Sequence, residues 1–273
     1  MGLKKLIKKV LCKFRKTVLK PVYIPVLRGE LLKGKTVLIT GGTGGIGSAI
    51  AARCAENGAK VIIIGRSLEK LHNIAKRIEA IPYVLDIQDT TNMKNDLERL
   101  VSDYKIDVLV NSAGVQKGSS FGSTGEEDFD NTIDTNLKGT YFLSQLFSNY
   151  LIQNGVKGNI LNISSVSGYR PAISPYMVSK WGITGLTKGM GKKLIKHGIV
   201  VNGIAPGPVA TEMLGLDGSN LKYDKAPSGR YSDPNEIANL AVFLVSDLGR
   251  MIVGETVYIT GGCGNLTFDD IDY

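Results

Sequence analysis

The sequence is poor in the residues that metal and disulfide chemistry require. Of 273 residues, two are histidine (His72, His197) and three are cysteine (Cys12, Cys54, Cys263), set far apart. That odd, dispersed count gives no disulfide framework and no paired metal knuckle, so it fits a reducing cytoplasm and no metal site is expected. A Ser-His-acid hydrolase needs a histidine tied to a strand-to-helix nucleophile elbow, and none is expected here. No uninterrupted apolar run approaches the ~20 residues of a membrane span. Lysines break every stretch near the N-terminus that would serve as the apolar core of a secretory signal. Repeats and low-complexity tracts are also missing, and 43% apolar content over this length suits one large globular domain.

Acid is missing from one place in particular. Residues 1–20 hold eight basic residues (Lys4, Lys5, Lys8, Lys9, Lys13, Arg15, Lys16, Lys20) and no carboxylate. Taking those 8 from the 33 basic residues leaves 25 against 25 acidic ones, so the net charge of +8 sits wholly on this segment. The body is neutral and predicts no nucleic-acid groove. Leu3, Ile7, Val10, Phe14 and Val18 share one helical face, which predicts a basic amphipathic helix over residues 3–18. Such a helix suits an anionic membrane surface; docking on the protein's own body or on another subunit is the alternative. The expected location is cytoplasmic, peripheral at the inner face of the membrane. Gly2 is present, but Leu6 stands where an acylation signal needs Ser or Thr, so no lipid chain is implied. Pro21 and Pro25 stop the helix, and residues 21–34 read as a tether. Residues 263–273 form an acidic tail.

Between tether and tail the pattern alternates. Short β-branched runs at 36–40, 60–64, 106–111, 159–164, 199–205 and 256–260 are separated by helical stretches such as GSAIAARCAENG and LEKLHNIAKRIEA. Continuous apolar strands alternating with helices predict a doubly wound α/β parallel sheet, a Rossmann fold, in one domain over residues 35–262.

TGGTGGIG (residues 40–47) follows the first strand and opens the first helix. Glycines there let a backbone approach a pyrophosphate, while the helix N-terminus supplies amide donors and a favourable dipole. At the end of the second strand, where a carboxylate would bind ribose hydroxyls, the chain has Gly65-Arg66-Ser67. A guanidinium there suits a 2′-phosphate, so NADP(H) is expected in preference to NAD(H).

Further on, Tyr176 and Lys180 stand four apart on one helical face. With them come Thr40-Gly41 and Gly45-Ile46-Gly47, Asp86, NSAG (111–114), Asn136, Ser165 and PGPVATEM (206–213), in that order. On these motifs residues 35–262 resemble the short-chain dehydrogenase/reductase family. The resemblance implies a carbonyl–alcohol oxidoreductase in which Tyr176 exchanges the proton, Lys180 and an oxidised nicotinamide favour its phenolate, and Lys180 also bonds the nicotinamide ribose. It implies that Ser165 holds the substrate oxygen and that Asn136 holds a water relaying protons through Lys180. Asp86, beside Ile87, is expected at the adenine, and Asn111, Ala113 and Gly114 at the floor of the site. Pro206, Gly207, Val209 and Thr211 are expected at the nicotinamide carboxamide; Thr40, Thr43 and Ser67 complete the expected cofactor contacts. Ser165 lies eleven positions before Tyr176, about two fewer than the family pattern, and Ser164 and Ser167 are rivals for its role.

The substrate is written less clearly. Lys222, Asp224 and Lys225 follow the PG turn and suit a polar or anionic substrate. The nearest general resemblance is to 3-oxoacyl-carrier-protein reductases; a reductase of sugar or polyol precursors in envelope polysaccharide synthesis is the alternative. A non-catalytic dinucleotide sensor or membrane-bound scaffold is the reading from another class. By resemblance, residues 233–247 and the last strand imply pairing into a homo-oligomer, a tetramer or a dimer.

Overall fold

The computed structural model describes residues 29–216 and 220–264. The amphipathic segment at 3–18, Cys12, most of the tether and the tail beyond residue 264 lie outside the described residues. Seven strands are β1 (Thr36–Thr40), β2 (Lys60–Gly65), β3 (Ile81–Val84), β4 (Val108–Asn111), β5 (Asn159–Ile163), β6 (Val200–Pro206) and β7 (Thr256–Ile259). They form one parallel sheet in the order β3-β2-β1-β4-β5-β6-β7. The helices are α1 (Gly45–Glu56), α2 (Leu68–Ile78), α3 (Met93–Asp103), α4 (Glu126–Ile133), α5 (Thr140–Gln153), α6 (Pro175–Leu194) and α7 (Pro234–Val245). The doubly wound sheet is as expected. Its strand order reverses between β1 and β4, and this switch opens a crevice at their C-terminal ends.

Alternation within each strand feeds two cores. Val37 and Ile39 of β1 join Ile50 and Ala51 of α1 and Ala238 and Ala241 of α7 on one face. Leu38 of β1 and Ile62 of β2 join Leu97, Leu143 and Phe147 on the other. Each fully buried Leu, Ile or Phe contributes roughly 1.5–3 kcal/mol before chain entropy offsets most of it.

Two details depart from the apolar pattern. β3 is not marked by a β-branched run, because it contains Pro82 and none of its residues is buried. It lies at the sheet edge, where a residue without an amide donor is tolerated. The helix predicted over LEKLHNIAKRIEA stops at Ile78, where Glu79 turns left-handed at φ 55° and caps it.

Helix α6 begins where its sequence says it should. The Ser174 hydroxyl accepts from Met177 N at 3.3 Å and Pro175 takes the first turn, so Tyr176 starts the helix and Lys180 follows one turn later. A buried polar chain ties α6 to the sheet: Asn111 Nδ2 donates to Asn162 Oδ1, and Asn162 Nδ2 donates to Thr187 Oγ1, both at 2.9 Å. Asn162→Ala would leave both neighbours short of a partner in the dry interior. We expect a loss of about 2 kcal/mol in urea unfolding, with an unchanged denaturant slope.

Candidate active site

The glycine loop after β1 is shaped by close backbone packing. Gly41 has φ +66°, and a Cβ there would lie 2.7 Å from Ala113 Cα. A Cβ on Gly47 would stand 2.2 Å from the Gly41 carbonyl oxygen. Only glycine fits either position. Gly44 caps α1 without a side-chain hydrogen bond, so no side chain competes for the amides of the first turn.

Above this loop runs a groove of about 300 Å³ lined by Gly41, Thr43, Gly45, Ile46, Gly47, Arg66, Asp86, Ile87, Ala113, Gly114 and Thr211. All were expected there. The Arg66 side chain is exposed at the groove and in no ion pair among the described residues. Asp86 accepts from Gln88 N at 3.0 Å, which fixes its carboxylate beside Ile87. These residues fit a dinucleotide: a Cβ-free cradle, a helix N-terminus and one uncommitted guanidinium.

Three expected contacts instead stand outside the lining. Thr40 is buried, and its hydroxyl accepts from Ser112 N and Ala113 N, both at 3.1 Å, holding the NSAG loop in place. Asn111 is buried and donates to Ser144 Oγ and Asn162 at 2.9 Å. Ser67 caps α2, accepting from Lys70 N at 3.4 Å. Sequence position brought them near the groove, but their side chains serve the scaffold.

The groove continues into a second cleft of about 390 Å³, sharing Ile46, Ser112, Gly114, Thr211 and Met213 with it. This cleft receives Ser165, Tyr176 and Lys180 together, with Pro206, Gly207 and Val209. The serine ambiguity resolves by geometry. Ser164 Oγ is spent on the Lys180 carbonyl at 3.1 Å and on Thr184 Oγ1 at 2.8 Å, whereas Ser165 lines the cleft with Tyr176 and its hydroxyl is the one that acts on the phenol's pKa. Ser167 N donates back to Ser165 Oγ at 3.1 Å, inside the one-turn helix Val166–Gly168. The short loop then packs hard on α6: a Cβ on Gly168 would meet the Lys180 carbonyl oxygen at 2.5 Å.

Lys180 is buried, its Nζ donating to the Ile163 carbonyl at 2.9 Å and lying 5.5 Å from the centre of the Tyr176 ring. Burial brings its pKa down to about 8. Burial also pushes the Tyr176 phenol up, outweighing the Ser165 hydrogen bond that lowers it. Burial thus favours the neutral form of both groups.

Asn136 lies in a π-helical turn (Asp134–Gly139) between α4 and α5. Its Oδ1 accepts from Val115 N at 2.8 Å, while Nδ2 donates to Val115 O at 2.9 Å and Ser179 Oγ at 3.0 Å. The side chain is therefore fully engaged and sits behind Gly114, next to the Lys180 ammonium, without lining either cleft.

Several lining residues are not singled out individually in the sequence, although Gln116 and Tyr223 fall in the loop after NSAG and the segment after the PG turn, where the substrate is expected. Thr135 borders the groove beside Asn136, and Gln116, Arg170, Tyr223 and Tyr231 border the cleft. The two tyrosine rings stack with centroids 4.3 Å apart. Lys222, Asp224 and Lys225 instead face outward, Lys222 pairing Asp224 at 3.2 Å. Residues 118–122 (GSSFG) do match the spacing of a nucleophile elbow. They form an exposed loop away from any strand end, so the match is accidental. Among the described residues no group of three His, Cys, Asp or Glu side chains could hold a metal ion. Nor is any helix there long and apolar enough to cross a membrane. Cys54 is buried in the core with its thiol pushed up to about 12 by burial, which makes it inert.

Comparison with known proteins places this geometry in context. The family model for short chain dehydrogenase matches residues 35–221. The 3-oxoacyl-[acyl-carrier-protein] reductase FabG of Thermotoga maritima is 37% identical over 242 residues, covering 85% of this chain and 98% of that protein. Gluconate 5-dehydrogenase of Gluconobacter oxydans is 32% identical, covering 85% and 95%. Among solved structures, a gluconate 5-dehydrogenase from Burkholderia cenocepacia in complex with NADP and tartrate superposes with a TM-score of 0.78 at 32% identity, covering 85% and 95%. Motif order, sheet topology and relatives agree that the chain belongs to the short-chain dehydrogenase family and is a NAD(P)-dependent oxidoreductase.

Proposed function

We propose that this protein interconverts a carbonyl and an alcohol with NADP(H), using Tyr176 as proton donor and acceptor. The observation that carries this reading is the meeting of Ser165, Tyr176 and Lys180 in a cleft continuous with the glycine-loop groove. The groove residues would hold a nicotinamide dinucleotide, which would supply or accept the hydride. Ser165 holds the substrate oxygen against the Tyr176 phenol, which gives its proton as charge develops there. Lys180 bonds the nicotinamide ribose, and its ammonium beside the tyrosine stabilises the phenolate left behind. Since the Asn136 side chain is committed to Val115 and Ser179, its part in a proton relay falls to its main chain and to the placement of Lys180. Arg66 favours NADP(H) by pairing with the 2′-phosphate.

For the substrate, a 3-oxoacyl thioester is the reading favoured by the Thermotoga relative. The second reading, a polar sugar- or polyol-derived substrate, is favoured by Arg170, Gln116 and the stacked tyrosines in the cleft. Turnover of acetoacetyl thioester with NADPH, against gluconate oxidation with NADP+, separates the two. A sensor or scaffold would turn over neither. Self-association is proposed through α7 and β7, which expose Phe243 and Tyr258; light scattering gives the state. Residues 3–18 are proposed to hold the enzyme at the cytoplasmic face of an anionic membrane.

Tyr176→Phe should lower kcat by about 10²–10⁴-fold while the NADPH dissociation constant moves less than about threefold. Full retained turnover would remove the assigned proton donor. Arg66→Ala should weaken NADPH by roughly tenfold or more, about the worth of a charged hydrogen bond, and leave NADH unchanged; equal weakening of both would defeat the 2′-phosphate assignment.

Because the free-protein pKa of Lys180 is about 8, its ammonium is present below that value and lost above it. NADPH affinity, followed by fluorescence, should therefore fall as pH rises through 8, by up to about tenfold per pH unit. Lys180→Met should bind more weakly throughout and lose that pH dependence.

A further inference from the structure

The end of the sheet opposite the active site carries a row of lysines that the reaction does not use. Across five neighbouring strands, a lysine stands at or just before each N-terminal end: Lys60 on β2, Lys35 before β1, Lys105 before β4, Lys157 before β5 and Lys196 before β6. With strands ~4.8 Å apart, the row extends about 19 Å. Lys35 is half-buried and the other four are exposed. None of the five forms an ion pair among the described residues. Lys35, Lys105 and Lys157 border one concavity of about 460 Å³ with Asn154 and Asp107. The single carboxylate there, Asp107, is buried and accepts from Thr36 N at 2.9 Å, so it offsets only part of the charge.

Like charges placed together repel unless something anionic faces them. The described chain enters at this same end. Leu32 N donates to the Asn57 carbonyl at 2.9 Å, and a Cβ on Gly58 would come within 3.3 Å of Lys33 Cα. The segment that precedes it holds the eight basic residues of positions 1–20. The described residues therefore begin at the end of the domain that carries the lysine row. The crevice at the C-terminal ends of the strands faces the other way.

We infer that the N-terminal edge of the sheet is a docking face for an anionic lipid bilayer. Lysines in a row meet headgroup phosphates, while the active-site cleft stays turned to the aqueous side where substrate and cofactor diffuse. The inference extends the proposed membrane association from residues 3–18 to a specific face of the folded domain, and adds an orientation.

The test is sedimentation of the full chain with vesicles of phosphatidylcholine, with and without 30% phosphatidylglycerol, in about 0.15 M salt. Lys35→Gln/Lys105→Gln/Lys157→Gln should lower partitioning onto the anionic vesicles at least tenfold, each lysine near such a surface adding about one increment of this size or less. NADPH binding should be unchanged in that variant. Unchanged partitioning, with loss on deleting residues 2–20, would overturn the inference and keep the anchor. Loss in the lysine variant with retention in the deletion would keep the inference and discard the anchor. Absence of vesicle binding by the wild type, or capture only by RNA, would overturn both. A second measurement avoids substitution: acylation of lysines followed by mass spectrometry. Anionic vesicles should protect Lys60, Lys105 and Lys157 while Lys222 and Lys225 keep reacting; equal protection at both ends would contradict the orientation.

Discussion

The site is organised around an ammonium group in a place that disfavours it. Lys180 is carried inward by α6 until its Nζ reaches the last carbonyl of β5, with no carboxylate beside it. A charge buried with so little compensation lowers its own pKa, and the fold must supply the stability that offsets the cost. The surroundings show how the position is enforced. Ser174 and Pro175 set where α6 begins, Ser164 and Thr184 bind the Lys180 carbonyl, and Gly168 lets the preceding turn lie directly on the helix. Removing freedom from the lysine in this way leaves its proton available to a ligand.

A second constraint is the reversal of strand order between β1 and β4. It places the glycine loop and the NSAG loop on adjoining strand ends, in contact through Gly41 and Ala113. Thr40 bonds both amides that start the NSAG loop, so a residue of the first strand fixes the floor built by the fourth. Asn111 and Asn162 continue this polar layer to Thr187 on α6. The groove and the second cleft are thus joined by buried hydrogen bonds whose side chains line neither. Such a network is rigid only while it is complete.

Much of this was legible from residue order. Six β-branched runs announced their strands, and the glycine spacing and the Tyr-x-x-x-Lys pair fall on segments that line the groove and the cleft. What order could not decide was the direction of individual side chains. Thr40, Ser67 and Asn111 lie at the expected places along the chain yet turn toward the scaffold. Arg170, Tyr223 and Tyr231 are not singled out by any motif residue, because loops meet at a cleft for reasons of tertiary packing. Likewise β3 has no apolar signature, since an edge strand buries little and tolerates a proline. The titration of the central pair was also beyond sequence: spacing brings Tyr176 and Lys180 onto one face, but burial sets the sign of both shifts.

Pro82 has an effect beyond its own strand. A parallel sheet ends in rows of unpaired amides and carbonyls, which can recruit a strand from another chain. In β3 the proline ring removes one of the four backbone donors, and the strand is too short to present a long template. Growth of the sheet from this side is blocked at the level of the backbone. Any strand-to-strand meeting of crowded copies is thereby directed to the opposite edge, β7.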